Sequence, residues 1–419
     1  MTQLYDVIIL GAGACGLFTA INIAEGAPHK RILILEKGKE ALGKVRISGG
    51  GRCNLTNGET NLREFVKNYP RGNRELLSAF SRFSNKDTMK WFETHQVALK
   101  EEADGRIFPV SNSSQTIIDC FLSLAKKYNI EILYKQNVHA FSFEKELWKV
   151  QATEVFHSRN LVVATGSNPK VWQLLSQLGH TIIPPVPSLF TFATEDSFIE
   201  GLAGVSKEVN AKLLATDHSP LKIPLLEKQG LVGALLVTHW GFSGPVILRL
   251  SAFAARILAQ LDYKFSLQIN WLAEGEESLN AEETLAILQE EKQKHPRKEM
   301  QNHCPFNLTK KLWNKLLERS GVLPHQLWAE LNKGQLHTLT QTLTASTFLI
   351  HDKAPFKEEF VTAGGVSLKE IDFKNFRSKL FPTLYIGGEA LDIDAVTGGY
   401  NFQNAWSSGY LIAEGVKSE

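Results

Sequence analysis

Between Tyr5 and Glu36 the chain reads YDVIILGAGACGLFTAINIAEGAPHKRILILE, a stretch that leaves little choice of local fold. Tyr5 to Leu10 is a short apolar run of β-formers, Gly11, Gly13 and Gly16 make Gly-x-Gly-x-x-Gly, and Ala14 to Glu25 carries helical periodicity into a Gly-Ala-Pro break. Arg31 to Leu35 is a second strand, and Glu36 ends it twenty positions after Gly16. This is the order of a βαβ dinucleotide unit. Gly11 permits the tight turn, Gly13 lets backbone approach a pyrophosphate, and Gly16 lets helix pack on strand. The free N–H groups of the helix start, at Ala14 and Cys15, then face the anion. A carboxylate at Glu36, followed by Lys37, can accept from both hydroxyls of an unphosphorylated ribose, so FAD or NAD fits and NADP does not.

Composition sets the outer limits. With 419 residues and 43% hydrophobic content the chain can bury a large core, and its length suggests two or three domains. No apolar run approaches the roughly 18 residues of a membrane helix. The first strand starts almost at once, which leads us to expect no signal peptide, no membrane and a cytoplasmic location. Cys15, Cys53, Cys120 and Cys304 are widely spaced, so neither a metal knuckle nor a dithiol pair is encoded and no metal is expected. Redox work must then come from a cofactor. A net charge of +2 excludes a strongly basic field over the whole protein but leaves local RNA contact open, and it does not fix an oligomeric state.

Further loops have the chemistry of cofactor contacts. Ser48 to Asn57, SGGGRCNLTN, is too rich in Gly, Ser and Asn for helix or central strand. Ser48, Gly49 and Gly50 offer unobstructed N–H groups, Arg46 and Arg52 can meet phosphate, and Cys53 and Asn54 can meet ring heteroatoms. Asn61 to Leu99 reads as helices whose Phe80, Phe83, Trp91 and Phe92 suit a core better than a stacking box. An Asp104-Gly105 hairpin, a helix near Gln115 and a strand from Glu131 to Val138 follow, then a meander over Phe141 to Val155. Asn160 to Gly166 is an apolar strand ending in Ala164-Thr165-Gly166. In glutathione-reductase-like folds such a strand end, and the backbone at a position like Val138, approach FAD. No second Gly-x-Gly-x-x-Gly occurs, so no separate nicotinamide domain is expected and FAD is favoured.

After Pro187 the sequence becomes β-rich, with a Pro245 helix and His239 as a candidate for the flavin cavity. A polar helical stretch follows, in which Lys292, Lys294, Lys298, Lys310, Lys311 and Lys315 sit among acids and read as a solvated face. The last part, LYIGGEALDIDAVTGGYNFQNAWSSG, is a strand, an acidic loop, and a Gly-Gly turn launching a helix at about Asn401. Gly388, Glu389, Gly398, Gly399, Asn401 and Phe402 are its candidate cofactor contacts, the helix dipole being directed at an anion or a flavin.

The motifs GAGACG, RISGGGRCNLTN, THWGFSGP, FVTAGGV and TGGYNFQNAWSSG, in this order, resemble the BaiN-type, aminoacetone-oxidase-like FAD-dependent oxidoreductases, a family that includes ribosomal RNA dihydrouridine synthesis. The resemblance covers nearly the whole chain. It implies an α/β architecture, with a three-layer, glutathione-reductase-like FAD domain interrupted by an inserted β-barrel-like domain and a small helical domain. The expected divisions are 1–187 and 355–419 for the FAD domain, 188–275 and 335–354 for the β-rich domain, and 276–334 for the helical insertion. Ser167 and Ser188-Leu189-Phe190 depart from the family pattern, which concerns the substrate pocket more than the cofactor site. The implied activity is NAD(P)H-driven reduction, through non-covalent FAD, of an electron-poor C=C such as uridine in RNA. Oxidation of a small amine such as aminoacetone is the alternative, and a flavin-containing RNA- or protein-binding module a second one. NAD(P)H would be a transient reductant, and Cys53 is the candidate proton donor.

Overall fold

The computed structural model describes residues 4–224, 226, 230–275, 277–354 and 361–418. It divides into two compact units: Met1–Val186 with Thr362–Glu419, and Pro187–Val361.

The first unit is built on a parallel sheet. Strand β1 (Leu4–Leu10) leads through helix α1 (Ala14–Gly26) to β2 (Ile32–Leu35). A short helical segment, α2 (Gly43–Gly51), follows, then β3 (Glu131–Leu133), β4 (Val155–Val163) and β5 (Leu384–Ile386). These strands pair in the order β5-β4-β1-β2-β3, all parallel. Chain order reverses at β1, since β2 and β3 extend to one side and β4 and β5 to the other. In open α/β sheets that switch point is where ligands bind, beyond the carboxyl ends of the strands. Val7, Ile8, Ile9, Leu33 and Ile34 are fully buried, as expected for a sheet covered on both faces.

The Asp104-Gly105 hairpin forms between Leu99–Glu101 and Arg106–Pro109, and Ser113 caps a helix over Ser114–Lys127. The aromatic residues of the helical stretch are core: Phe18 lies 4.6 Å from Trp91 and 5.4 Å from Trp406, centroid to centroid, and Phe121 stacks on Trp406. The strand expected over Glu131 to Val138 stops at Leu133 instead, because Lys135 turns into the left-handed region (φ 57°) and its N–H bonds Gly38. Ser48 to Gly50 leave helical geometry within α2: Ser48 is extended, and Gly49 and Gly50 are left-handed. The loop reading therefore holds there, although a helical turn through Gly43–Val45 precedes it.

The second unit carries an antiparallel sheet in the order Ser346–Ile350, Phe265–Asn270, Ser206–Leu214, Leu231–Val237, Gly241–Ser243, Phe192–Ala193, Asp352–Lys353. Its two end strands are consecutive in the chain, separated by His351 alone, so the sheet curls round on itself. The helix Pro245–Gln260 starts at the Gly-Pro turn. Residues 276–334 do not form a body of their own. Their Trp313, Leu316 and Trp328 share one buried core with Trp271, Phe348 and Leu267 of the sheet, and within the expected return at 335–354 the helix Lys333–Ala345 comes before the returning strand Ser346–Ile350. The expected boundaries at 276 and 355 fall on residues outside those described. Among the described residues no helix is long and apolar enough to cross a membrane.

Candidate functional site

The parallel register sets the ends of the strands level. Leu10 pairs with Leu35 and with Val163, and Val163 pairs with Ile386. The next residue on each strand is tied to its neighbour: Gly11 N–H donates to Leu35 O (2.9 Å), Glu36 N–H to Leu133 O (2.9 Å), Ala164 N–H to Leu10 O (2.9 Å) and Gly387 N–H to Val163 O (3.0 Å). Gly11, Glu36, Ala164-Thr165-Gly166 and Gly388-Glu389 are thus brought to one edge of the sheet.

The three glycines of the first turn differ in what they face. A Cβ on Gly16 would stand 2.0 Å from Gly11 O, and one on Gly11, whose φ is +101°, would stand 2.7 Å from Ala164 O. Those two are required by the protein itself. A Cβ on Gly13 would meet nothing within 4 Å, so this glycine leaves open room beside the start of α1. Gly13 is also the N-cap and provides no side-chain cap, which leaves the first N–H groups of the helix, including those of Ala14 and Cys15, to an outside acceptor. The Cys15 side chain turns the other way: its Sγ lies 3.5 Å from Ser408 Oγ, and burial pushes the thiol up to about 11.

Glu36 is held in place by backbone N–H groups. Its Oε2 accepts from Ala12 N–H (2.8 Å) and its Oε1 from Gly38 N–H (2.5 Å), which fixes the carboxylate beside the turn while leaving lone pairs to spare. Lys37 is exposed, and Val138 is buried beyond β3.

A second helix N-terminus completes the arrangement. The C-terminal helix, Tyr400–Lys417, begins at Gly399 in the left-handed region (φ 93°), again with no side-chain cap. A Cβ there would stand 2.4 Å from Thr56 O, so the helix start is pressed against the 48–57 loop. Asn54, with its amide oriented to satisfy both ends, donates to Thr56 O (3.1 Å) and accepts from Gly399 N–H (3.0 Å). Asn401 is occupied within the chain, bonding both N–H and C=O of Ala395, and Phe402 stacks on Trp406 at 5.6 Å. Gly388 (φ 61°) donates to Ser408 Oγ, and Glu389 pairs with Lys44 of α2. Ser48 donates to Val45 O, and Gly49 is packed against Asn54 and Phe108, whereas Gly50 faces open space. The arginines expected at phosphate have partners of their own: Arg46 bonds Gln115 and Glu40, and Arg52 bonds Glu102 and lies over Phe108.

One expectation changes. Cys53 is fully buried, strained at φ 60°, and burial pushes its thiol up to about 12, so it presents no surface to a ligand and is withdrawn as a proton donor. His239 lies exposed between Leu231–Val237 and Gly241–Ser243 in the second unit, lining a depression with Thr194, Glu195, Asp196 and Glu200. Residues not foreseen include Ala12, Lys44 and Ser408. Ala12 was legible as the first x of Gly-x-Gly, whereas Lys44 and Ser408 depend on packing.

FAD fits these residues: an open cradle at Gly13, two uncapped helix starts and a fixed carboxylate suit a pyrophosphate, an electron-rich ring and a ribose. The fold and site define the class of FAD-dependent oxidoreductases with a Rossmann-type domain. Within it the chain belongs to the family described as HI0933-like protein Rossmann domain, whose model matches residues 5–415. It is 29% identical, over the full length of both chains, to a protein of Haemophilus influenzae named ribosomal RNA dihydrouridine synthase. It is 26% identical to one of the same name from Escherichia coli, covering 98% of this chain and 97% of that one. A 3-dehydro-bile acid delta(4,6)-reductase of Clostridium scindens is 27% identical, over 96% and 97%. In fold it is similar to a 3-ketosteroid-delta4-(5alpha)-dehydrogenase from Rhodococcus jostii, with a TM-score of 0.52 at 12% identity, covering 100% of this chain and 97% of that one.

Proposed function

We propose that the protein reduces a carbon–carbon double bond conjugated to a carbonyl, with NADH or NADPH as reductant, and that its acceptor is a uridine of ribosomal RNA. The observation that carries this reading is the end-to-end similarity to two proteins named ribosomal RNA dihydrouridine synthase. The bile-acid reductase supports the reaction class, since its name too denotes reduction of double bonds. Bound FAD supplies the hydride-transfer chemistry.

The chain's own part is binding, orientation and charge. The α1 N-terminus holds the pyrophosphate, Gly13 leaves it room, and Glu36 accepts from the ribose hydroxyls. The uncapped start at Gly399 directs the positive end of an 18-residue helix toward developing negative charge. With a single Gly-x-Gly-x-x-Gly engaged by FAD, nicotinamide and acceptor take turns at the open face, which predicts parallel double-reciprocal lines in initial-rate kinetics.

The test is to incubate the purified yellow protein with NADH or NADPH and ribosomal RNA free of dihydrouridine, and to analyse its nucleosides by mass spectrometry. Conversion of a defined uridine to dihydrouridine supports the reading. Bleaching by aminoacetone, with no reduction by either nicotinamide, would replace it with the amine oxidase.

A further inference from the structure

We propose that Glu291, His295 and His303, in the second unit, form a site for one divalent transition-metal ion of the zinc class. Glu291 lies in the last turn of the helix Ala281–Lys294, His295 is that helix's C-cap, and His303 follows the 3-10 turn Met300–Asn302 in the connection beyond it. Their candidate ligand atoms all lie within 4.8 Å of one another. Glu291 Oε2 is 2.6 Å from His303 Nε2 and 3.6 Å from His295 Nε2. In a tetrahedral zinc site with bonds of about 2.0–2.1 Å, neighbouring ligand atoms stand about 3.3–3.4 Å apart. Shifts of well under an ångström therefore bring the Glu291 pairings to that spacing.

A glutamate hydrogen-bonded to one histidine explains His303 but not His295. The His295 nitrogen is too far from the carboxylate for a hydrogen bond, and among the described residues its ring closes none elsewhere. It is nonetheless turned toward the same oxygen, with its ring centroid 4.3 Å from that of His303. Two imidazoles converging on one carboxylate oxygen make a ligand set for zinc, nickel, cobalt or copper.

The backbone carrying these ligands is fixed. His295 N–H bonds Glu291 O (2.8 Å), Lys298 N–H bonds His295 O (3.1 Å), and Trp328 N–H bonds Lys298 O (3.0 Å). Met300, fully buried, receives the Trp313 indole N–H on its carbonyl at 2.6 Å. Ligands on a held backbone need little ordering when an ion arrives. The helix C-terminus adds partial negative charge on the same side. The side chains retain 17%, 35% and 21% exposure for Glu291, His295 and His303, so water can fill the fourth position.

One contact opposes binding. Lys298 Nζ lies 3.3 Å from His303 Nδ1, and a metal on Nε2 requires that Nδ1 carry the proton. Lys298 is exposed and can swing into solvent. Cys304, next in sequence, is directed to Phe306 O and takes no part.

The experiment uses full-length, flavin-loaded protein without a polyhistidine tag, freed of metal by chelator and titrated with Co(II), with Zn(II) added afterwards. One equivalent of Co(II) is expected to give the visible absorption of a low-coordinate site, Zn(II) to abolish it, and Zn(II) to raise the Tm. His295→Ala with His303→Ala should lose all three responses while keeping flavin absorbance, and Lys298→Ala should bind Co(II) more tightly than the parent. Absence of saturable binding, binding unchanged in the double variant, or binding unchanged or weakened by Lys298→Ala would each overturn the proposal.

Discussion

The helix starting at Ala14 and the helix starting at Tyr400 begin alike and are held differently. Each opens on a glycine and neither has a side-chain cap. The first is built from its own neighbourhood, because the Gly11, Gly13 and Gly16 turn is shaped by contacts among residues 9 to 16 and the adjoining strand end at Ala164. The second is built by distant chain. Tyr69 Oη donates to Tyr400 O (2.5 Å), Thr56 Oγ1 donates to Gln403 Oε1 (2.6 Å), and Gln403 Nε2 reaches Thr88 Oγ1 (2.9 Å). A helix start of this kind can therefore be specified locally or by tertiary packing, and the two should fail in different ways.

The largest effect separates two glycines of the local turn. Gly16→Val forces a Cβ to within 2.0 Å of Gly11 O, and backbone cannot yield as a side-chain tip would. We expect a loss of about 3 kcal/mol or more, the upper end of overpacking costs, seen as a low Tm with or without FAD. A Cβ at Gly13 meets no protein atom within 4 Å, so the Gly13→Val apoprotein should lose no more than about 1 kcal/mol of stability while FAD no longer binds. Equal loss of stability in both variants would break the distinction between a fold glycine and a ligand glycine.

Next comes the helix built from afar. Gly399→Ala puts a Cβ 2.4 Å from Thr56 O at a φ of +93°, which we expect to cost about 1–3 kcal/mol and to weaken FAD as the helix start shifts. Tyr69→Phe removes a bond 331 positions away in sequence yet should weaken FAD in the same direction. FAD affinity unchanged by both would mean that the C-terminal helix start packs against the cofactor site without serving it. Glu36→Ala should lower FAD affinity by about 1.5–3 kcal/mol, the range for a hydrogen bond to a charged group, with titration of apoprotein as the measurement.

The same contrast explains what the sequence disclosed. Gly11 to Glu36 was legible because turn, helix and strand obey local rules, and so was the Gly-Gly start near 400 as a pattern. Its anchoring was not. ALDIDAV reads as an acidic loop, yet Asp394 is fully buried and paired with Arg71, a partner 323 positions away. Polar spacing likewise suggested a separate helical insertion, whereas Trp313 and Trp328 are core residues shared with the curled sheet. Cys53 looked like a flavin neighbour from its place among glycines, but burial is set by what packs over it, which no local pattern encodes.

The smallest effect tests whether the periphery of the first unit tunes its stability with pH. At the end of α1, Glu25 Oε1 meets His95 Nε2 at 2.8 Å and Tyr128 Oη at 2.9 Å. Burial works to lower the His95 pKa, but its bonds to Glu25 and to Trp91 O outweigh that and hold it above the ordinary 6.5. Burial likewise works to raise Glu25, and the bonds from His95 and Tyr128 outweigh it and hold it below 4.5. A histidine whose pKa rises on folding adds stability below 6.5 and loses it as pH climbs through the raised value. A carboxylate whose pKa falls on folding adds stability above 4.5 and loses it as pH drops through the lowered value. The pair thus contributes most between 4.5 and 6.5. Because both groups are partly solvated, the contribution should stay under about 1 kcal/mol. Glu25→Gln keeps an acceptor and removes the charge, so its Tm should trail the parent most within that window and approach it as pH rises. A gap that does not vary with pH would show that His95 is neutral throughout, leaving only the uncharged hydrogen bond to anchor the end of α1.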